Sequence, residues 1–526
     1  MDRGGRPRSL PEGRMLRFNV YRNNGPLHDI DLAGAYVFGQ DSIPVRADLA
    51  SANGQVSCIK RSPGAAGLSL LWDAGEAGRF LLPTTRLPER GHPYNLNLEL
   101  ARAQIARIYQ KREDWGLFDF PNAKALNREF AGICRGFVQA LQTADPAQAA
   151  ALADQVLASA VTLGEKMGLF HADILLARRK ASGARAEFGC MVDLFASADE
   201  YTGRLREGFD FIRIPLPWKL TEPKERHYQY SQVDAWVNWA ARSARRVHAG
   251  PLLSFEPKHL PEWLYIWEHD YEALRDLTYE HIQRIVQRYE RHVSVWNVVS
   301  GIHATNSFNL NFDQLMELTR MSCLLVKKLA PKAEVLIDLA MPFGEYYARN
   351  QRTIPPLLYA DMAVQSGIKF DAFGVQLYMG VPVDGFYVRD LLQLSSLLDE
   401  FVGFSKNVHV TACSVPSNVA PDAWDNWAGK EAVPKGGQWH QPWSPRLQAE
   451  WLQAFCRVAM SKPFVKSVCW RDLADYEGHY IPHGGLCRNN MEPKLAFKEL
   501  RNFKASLAAQ PSGSAEPDAP DETDGK

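Results

Sequence analysis

Residues 293–299 read Val-Ser-Val-Trp-Asn-Val-Val, and residues 334–340 read Glu-Val-Leu-Ile-Asp-Leu-Ala. Each is a short, almost wholly apolar run, which is typical of a strand that is buried on both faces of a sheet. Between the two runs, residues 315–329 carry apolar side chains at helical spacing. The order strand, helix, strand predicts a βαβ unit, so this stretch indicates an α/β fold with a parallel sheet.

The same alternation continues on both sides of this unit and gives eight predicted strands. They are residues 189–194, 210–215, 251–256, 293–299, 334–340, 372–378, 408–414 and 467–473. Amphipathic stretches between them predict helices at 233–247, 271–289, 315–329, 391–401 and 445–460. Eight β/α units is the number that closes a (β/α)8 TIM barrel, which we predict over residues 186–507. A doubly wound open sheet is the alternative.

A different pattern precedes the barrel. From Leu16 the apolar residues alternate with period two, and Asn53-Gly54 is a pair typical of a two-residue hairpin turn. These features predict a small β-sandwich-like, β-rich domain over residues 15–94.

From residue 95 the apolar period changes to that of a helix. Asp145-Pro146 places an N-cap residue before a proline at the first helical position. Residues 95–185 are therefore predicted to be a helical connector. Residues 1–14 and 508–526 have the composition of disordered segments.

The charge balance excludes some classes of protein. The 526 residues contain 60 Lys and Arg against 60 Asp and Glu, so the formal net charge is zero. A dedicated nucleic-acid-binding protein would need a basic surface, so we expect no nucleic-acid partner. No apolar run approaches the ~18 residues of a transmembrane helix, so we expect no membrane partner either.

The eight cysteines are scattered and form no C-x-x-C pair. The N-terminal stretch lacks the apolar segment of a secretory signal, so we expect free thiols and a cytoplasmic protein. His479, His483 and the nearby Cys487 match no standard ligand spacing. We therefore predict no metal and no cofactor.

The chemistry of a TIM barrel lies at the C-terminal ends of its strands. The residues predicted there are Arg213, Glu256, Ser300, His303, Asp338, Gln376, Tyr378, Trp470 and Asp472. Trp218 and Trp263 lie beyond strand ends, where an aromatic ring can stack on the apolar face of a sugar. Core packing is the alternative for each tryptophan. The tryptophans between residues 424 and 443 lie in a segment that contains several Gly and Pro residues, which favours a surface loop or lid.

Four stretches of the barrel region together resemble glycoside hydrolase family 10, the family of retaining xylanases. They are Trp-Lys-Leu-Thr-Glu-Pro at 218–223 with the aromatic residues at 228–230, Pro-Glu-Trp-Leu at 261–264, Trp-Asn-Val-Val at 296–299, and Trp470 with Gly485-Leu486 and Pro-Lys-Leu-Ala-Phe at 493–497. The resemblance covers about residues 188–505 in the family's order. It implies a TIM barrel, a fold associated with endo-1,4-beta-xylanase activity, and an oligo- or polysaccharide such as xylan as the partner.

Two departures from the family fall on its catalytic glutamates. The acid/base glutamate of the family follows Trp-Asp-Val-Val-Asn, whereas Gly301 follows the corresponding residues here. The nucleophile of the family follows a threonine on strand seven, whereas Ala412 follows Thr411 here. Retaining hydrolysis needs two carboxyl groups about 5–5.5 Å apart. The resemblance therefore implies that both protonation of the leaving group and the covalent step are lost.

Other positions of the cleft also depart from the family. Glu256-Pro257 stands where the family has Trp-His, and only Gln376 remains of the Gln-Ser-His on strand six, which ends here in Tyr378. Arg213 stands where the family has a glutamate at the end of strand two. The resemblance thus implies that other residues of the cleft also differ from those of the family, in addition to the two lost carboxylates.

New carboxylates could have taken over the catalysis. Glu256 and Asp338 are predicted at strand ends where they could converge, Asp472 is a further candidate, and His303 could act as acid or base. The alternative is that Arg213 pairs with Glu256 or Asp472 across the barrel mouth as a buried ion network.

We interpret the chain as a family 10-like, carbohydrate-associated protein that is catalytically silent or altered, that is, a pseudoenzyme. Its barrel mouth is predicted to be a glycan- or partner-binding cleft. The first alternative is an active O-glycosyl hydrolase of the xylanase type with relocated carboxylates. The second is a scaffold barrel without a small ligand. The sequence does not specify a protein partner.

Overall fold

The computed structural model describes residues 15–61, 63–118, 120–185, 187–196 and 198–508. The segments 1–14 and 509–526, which are predicted to be disordered, lie outside these residues, whereas Ala508 is the last residue of a helix. None of the helices in the described ranges combines the length and the apolar character that crossing a bilayer requires.

Short strands fill the N-terminal region. They are β1 (Met15–Asn19), β2 (Tyr21–Arg22), β3 (Gly25–Pro26), β4 (Tyr36–Phe38), β5 (Pro44–Val45), β6 (Ala47–Ala52), β7 (Gln55–Lys60), β8 (Gly67–Asp73), β9 (Gly78–Pro83) and β10 (Tyr94–Asn95). The predicted hairpin is confirmed, because Ala52 pairs with Gln55 across the Asn53-Gly54 turn. At Arg46 the chain passes from β5 in one sheet to β6 in another.

These strands form two larger sheets, and one of them includes part of the barrel chain. The first has the order β10-β1-β7-β6, and the second has the order β18-β9-β8-β4-β5. Strand β18 (Gln438–Trp439) belongs to a loop of the barrel and pairs antiparallel with β9. The second of these sheets is therefore joined to a loop of the barrel by backbone hydrogen bonds.

Three helices follow the N-terminal strands: α1 (Leu96–Asp114), α2 (Lys124–Gln142) and α3 (Pro146–Ala181). The predicted start of α3 is confirmed, because the Asp145 side chain accepts a hydrogen bond of 2.8 Å from the backbone N–H of Gln148. Glu165 of α3 is buried and accepts hydrogen bonds from the Leu391 N–H at 3.0 Å and from the Trp439 indole at 2.8 Å. This carboxylate is one of several groups that hold the long helix on the barrel, together with Arg179, which donates to the Met460 and Val465 carbonyl oxygens.

Eight parallel strands of the described chain close into a barrel. In order around it they are β11 (Glu187–Met191), β12 (Phe211–Ile214), β13 (Arg246–Ala249), β14 (Val293–Ser300), β15 (Glu334–Leu339), β16 (Ala372–Tyr378), β17 (Asn407–Ser414) and β19 (Val465–Trp470). The helices are α4 (Asp199–Gly208), α5 (Trp218–Thr221), α6 (Ser231–Arg242), α7 (Tyr271–Tyr289), α8 (Phe312–Leu329), α9 (Tyr346–Arg349), α10 (Pro356–Gln365), α11 (Leu391–Glu400), α12 (Pro445–Ser461) and α13 (Leu495–Ala508). The predicted (β/α)8 fold is confirmed, and the open sheet is excluded.

The third barrel strand differs from its predicted position at 251–256. The strand is β13, which ends at Ala249, before the predicted one begins. Gly250 has a φ of +120°, and a Cβ there would lie 2.2 Å from the Asn297 carbonyl oxygen, so the regular strand ends before this glycine. Beyond it, Leu253 pairs with Val299 of β14 in an isolated bridge. Glu256 therefore lies in the loop after the strand and is not part of it.

Candidate functional site

The barrel mouth consists of the C-terminal ends of the barrel strands and the loops that follow them. Its deepest polar group is Asp338 on β15, which is 1% exposed. Three side chains donate to its Oδ2: Asn297 at 2.7 Å, Ser300 at 2.9 Å and Gln376 at 2.8 Å. The Thr411 hydroxyl donates to its Oδ1 at 2.5 Å. Both oxygens of Asp338 are thus occupied by hydrogen-bond donors, which leaves this carboxylate poorly placed to act as an acid or a base.

Arg213 on β12 completes this network from the opposite side. Its Nη2 lies 3.5 Å from Asp338 Oδ2, and its Nη1 donates to the Thr411 carbonyl oxygen. The two charged side chains are 4% and 0% exposed, so they form a buried ion pair. The prediction that Arg213 pairs with Glu256 or with Asp472 is wrong. The guanidinium belongs to the barrel interior, where it lines a small cavity of about 10 Å³, whereas those two carboxylates lie further out.

A glycine makes room for this network. A Cβ at Gly374 on β16 would lie 2.3 Å from Asp338 Oδ1 and 2.8 Å from the Thr411 methyl carbon. The six residues of the network come from the five strands β12, β14, β15, β16 and β17, so only a closed barrel assembles them.

The two positions without carboxylates lie at the same end of the barrel. Gly301 directly follows β14, with a φ of +65°, and donates its N–H to the Asp338 carbonyl oxygen at 3.0 Å. Ala412 on β17 is fully buried. The side chains around it form an apolar cluster: Tyr378, Val381, Phe386 and Ile481, with Met341, Val383, Trp427 and Tyr480 packed against them. The space beside Ala412 is thus filled by the protein's own apolar groups.

Tyr480 reaches across the mouth above this cluster. Its ring centroid lies 4.5 Å from that of Tyr378 and 5.9 Å from that of Trp427. On its polar side, Lys258 Nζ lies 4.3 Å and Arg471 Cζ lies 5.1 Å from the ring centroid, within the range of cation–π attraction. The ring therefore connects the ends of β16 and β19 with the loop after β13.

The charged groups of the mouth are paired with one another. Glu256 Oε2 lies 2.8 Å from Lys258 Nζ, and Asp472 Oδ1 lies 3.7 Å from Arg471 Nη1. Burial alone would raise the pKa of Glu256, but Lys258 and His259 hold that pKa below its usual value. Burial lowers the pKa of Lys258. Glu256 is therefore an ionised carboxylate in an ion pair, which suits it to binding better than to donating a proton.

His303 does not lie where an acid or base would be needed. It is fully buried, both of its ring nitrogens lack a hydrogen-bond partner, and its ring lies 5.3 Å from that of Tyr359 and 6.0 Å from that of Tyr346. Burial lowers the pKa of His303 to about 3. It is a neutral core histidine.

Of Trp218, Trp263 and Trp470, the three tryptophans predicted to bind a substrate at the barrel mouth, two are core residues. Trp218 and Trp470 are each 3% exposed, and their indoles donate to Glu222 Oε2 and to the Gly484 carbonyl oxygen, both at 2.9 Å. Trp263 is half-buried. In the predicted lid segment, Trp424 is 49% exposed, whereas Trp439 and Trp443 are buried.

Sequence reasoning missed Lys258 and Tyr480. Both lie in loops without regular periodicity, so no pattern marked them. His479 and His483, which were considered as metal ligands, contact Asp422 instead: the distances to its Oδ2 are 2.8 Å from His479 Nε2 and 3.3 Å from His483 Nδ1. Within the described residues, no group of three or more His, Cys, Asp or Glu could hold a metal ion.

Comparison with known proteins places this mouth in a family context. Residues 214–499 match the model of glycosyl hydrolase family 10. An endo-1,4-beta-xylanase/feruloyl esterase of Xylanibacter ruminicola is 21% identical over 345 residues, which are 61% of this chain and 46% of that protein. Endo-1,4-beta-xylanase 2 of Aureobasidium pullulans is 25% identical over 176 residues, which are 32% of this chain and 43% of that protein. The chain thus spans less than half the length of these curated relatives.

The chain is also similar to solved structures of xylanases. Xylanase 10B from Thermotoga maritima has 15% sequence identity and a TM-score of 0.44, over 63% of this chain and 97% of that chain. A thermostable mutant of the xylanase Xyn10A from Cellvibrio japonicus has 15% identity and a TM-score of 0.47, over 62% of this chain and 99% of that chain.

Proposed function

The chain belongs to glycosyl hydrolase family 10, whose model spans residues 214–499, and from that premise we propose that it is a catalytically silent member that binds an oligosaccharide at the barrel mouth. The family relationship makes xylan-type β-linked sugars the first ligand class to test. The loss of hydrolysis and the retention of binding are both parts of the proposal.

The observation that carries the proposal is the environment of Ala412. A nucleophilic carboxylate must be ionised and must reach the anomeric carbon. Position 412 has no carboxylate, and the side chains around it are apolar. Gly301 likewise offers no proton donor at the end of β14. Neither half of a retaining mechanism has a residue to perform it at these positions.

The relocated-carboxylate alternative has less support. Asp338 is occupied by four hydrogen-bond donors and an arginine, and His303 is enclosed in the core. Glu256 is the remaining candidate with appreciable exposure, at 25% of its side chain, and it is paired with Lys258. Asp472 at the same mouth has both oxygens engaged, because its Oδ2 accepts the Tyr480 N–H at 2.8 Å and its Oδ1 lies 3.7 Å from Arg471 Nη1. Glu256 therefore has no free carboxylate partner with which to supply both an acid and a nucleophile.

Binding is supported by the polar side of the mouth. Glu256, Lys258, Arg471 and Asp472 surround the Tyr480 ring, and an aromatic ring among charged hydrogen-bonding groups is a suitable surface for a sugar. The scaffold alternative predicts instead that no sugar binds here.

Two assays test the proposal together. We expect no turnover of an activated aryl xyloside, and we expect calorimetry to detect binding of xylohexaose. Glu256→Gln should weaken that binding about tenfold, because a hydrogen bond to a charged group contributes about 1.5–3 kcal/mol. Glu262→Gln is the matched control, because this carboxylate lies in the same loop with 89% of its side chain exposed.

The outcomes separate the three functions. Turnover by the wild type that disappears in Glu256→Gln would establish a relocated active site and refute the silent barrel. Absence of xylohexaose binding by the wild type would refute the proposed ligand class. Equal weakening by Glu256→Gln and Glu262→Gln would place the binding site away from the mouth.

A further inference from the structure

Two loops meet over the barrel mouth. One follows β17 and covers residues 415–444, and the other follows β19 and covers residues 471–494. They are joined by backbone hydrogen bonds, from the Gly478 N–H to the Trp424 carbonyl oxygen at 2.7 Å and from the Asn426 N–H to the His479 carbonyl oxygen at 2.9 Å. Tyr480, whose ring lies across the mouth, directly follows His479 in the chain.

The side chain of His479 has an acceptor at each ring nitrogen. Nε2 lies 2.8 Å from Asp422 Oδ2, and Nδ1 lies 2.7 Å from the Tyr476 carbonyl oxygen. A carboxylate and a carbonyl oxygen only accept, so both ring nitrogens must donate and the ring must be an imidazolium cation. Only 1% of the His479 side chain and 9% of the Asp422 side chain are exposed. This is a buried ion pair between two loops.

Asp422 is built to hold that cation. Its Oδ2 also accepts from the His483 N–H at 2.7 Å, and its Oδ1 accepts from the Trp424 N–H at 3.1 Å. A carboxylate with several backbone donors stays ionised. Removing the proton from His479 would leave a ring nitrogen lone pair facing an oxygen, which is repulsive.

We propose that the His479–Asp422 pair is a proton-dependent latch that keeps Tyr480 closed over the barrel mouth, and that loss of the proton releases the loop and exposes the apolar site around Ala412. The inference rests on the proposed function, because it concerns access to the same mouth. The exposed site would present the aromatic rings of Tyr378, Phe386 and Trp427 to a ligand such as an oligosaccharide.

The pH range follows from the groups that surround His479. Asp422 faces it from the loop after β17, where Asp425 pairs with residue 479 through the backbone and directs its Oδ1 to the Trp427 and Gly429 N–H groups. Asp472 and His483 lie near it on its own loop. Beyond His483, Lys494 is paired with Asp475 at 2.6 Å. Burial alone would lower the pKa of His479, but the hydrogen bonds to Asp422 and to Tyr476 outweigh burial and raise it above its ordinary value of 6.5.

A raised pKa means that the closed state binds one proton more than the open state. The latch is therefore fully effective below about pH 6.5 and weakens as the pH rises through the raised pKa. Within that window the open fraction should rise about tenfold per pH unit.

A thiol beneath Tyr480 reports this opening. We would introduce Ala412→Cys and measure its labelling by an aromatic disulfide reagent between pH 6 and 10, after subtracting the background of the wild-type protein. Ala372→Cys is the matched control, because Ala372 is also 0% exposed on a barrel strand but lies at the start of β16, away from the mouth. The ratio of the two labelling rates removes the intrinsic pH dependence of thiol reactivity.

We expect the ratio to rise with pH across the window, and we expect His479→Gln and Asp422→Asn to raise it at least about tenfold at pH 6. Parallel rates for the two thiols at every pH, or no effect of the latch substitutions, would overturn the latch. Nitrogen-15 chemical shifts of the His479 ring at pH 7 provide a second measurement in the unsubstituted protein, where a neutral ring would also overturn it. Failure of xylohexaose to bind, with the labelling as expected, would refute the proposed function and leave the latch standing.

Discussion

Replacing Asp338 with alanine should destabilise the barrel by much more than a surface substitution does. The side chain accepts from Asn297, Ser300, Gln376 and Thr411 and faces Arg213 at 3.5 Å. Its removal leaves the guanidinium of Arg213, which is 4% exposed, without its counter-charge. Breaking a buried ion pair by removing one partner costs about 3–5 kcal/mol.

The donors that lose their acceptor add to this cost. A buried donor without a partner costs about 1–3 kcal/mol. Ser300 and Gln376 would keep the hydrogen bond of 2.8 Å between them, but the side-chain amide of Asn297 would lose its acceptor. We therefore expect the free energy of unfolding to fall by about 4–8 kcal/mol in total. Urea denaturation, followed by fluorescence and by circular dichroism, measures this quantity.

Two further variants make the measurement decisive. Asp234→Ala is the control, because Asp234 pairs with Arg288 at the surface, where such a pair contributes at most about 1 kcal/mol. The double variant Arg213→Met with Asp338→Leu removes both charges and should cost less than Asp338→Ala alone, because no buried charge is left unpaired. If Asp338→Ala costs no more than Asp234→Ala, or if the double variant is worse than the single one, the structural role of this network is refuted.

Three further predictions follow from other parts of the chain. Gly374→Ala should lower the free energy of unfolding by at least about 2 kcal/mol, because its methyl group would collide with Asp338. Gly203→Ala is the control in the same urea assay and should be neutral or stabilising, because a Cβ at Gly203 would have no atom within 4 Å. Burial lowers the pKa of His281 and of His303 to about 3, below the ordinary value of 6.5, so their contribution to stability is complete above pH 6.5 and is lost as the pH falls. His303→Phe should therefore reduce the slope of the unfolding free energy against pH, between pH 6.5 and 4, by about 1.4 kcal/mol per pH unit. An unchanged slope would contradict this prediction. All eight cysteines should titrate as free thiols in the denatured, unreduced protein, and a count below eight would reveal a disulfide that the structure lacks.

The barrel could be predicted from the sequence because its strands are continuous apolar runs. β14 to β17 differ by at most one residue at either end from their predicted positions, since each is buried on both faces and bounded by polar or turn residues. The third strand was misplaced because residues 251–255 are as apolar as a strand. The backbone at Gly250 ends the strand, and composition does not report backbone conformation.

The sequence predicted which residues lie at the barrel mouth but did not predict which side chains contact one another there. Strand-end positions follow from the alternation, so Arg213, Ser300, Asp338 and Gln376 were nominated correctly as neighbours in one region. Which carboxylate Arg213 faces depends on the tilt and register of five strands, which sequence spacing does not determine. Tyr480 and Lys258 belong to irregular loops, and their positions depend on contacts with residues more than a hundred positions away along the chain.

Under the proposed function, the Gly301 and Ala412 positions and the saturation of Asp338 with hydrogen-bond donors have a common physical explanation. An active retaining site must keep two like-charged groups close together in a partly desolvated mouth, and such a site is maintained at a cost in stability. At position 412 the barrel instead buries a methyl group among aromatic and aliphatic side chains, which is favourable. Asp338 can then direct both oxygens to fixed donors and a buried arginine without competing for a substrate. The centre of this barrel is arranged for stability, and under the proposed function a ligand would contact the paired charged groups at its rim, around Tyr480.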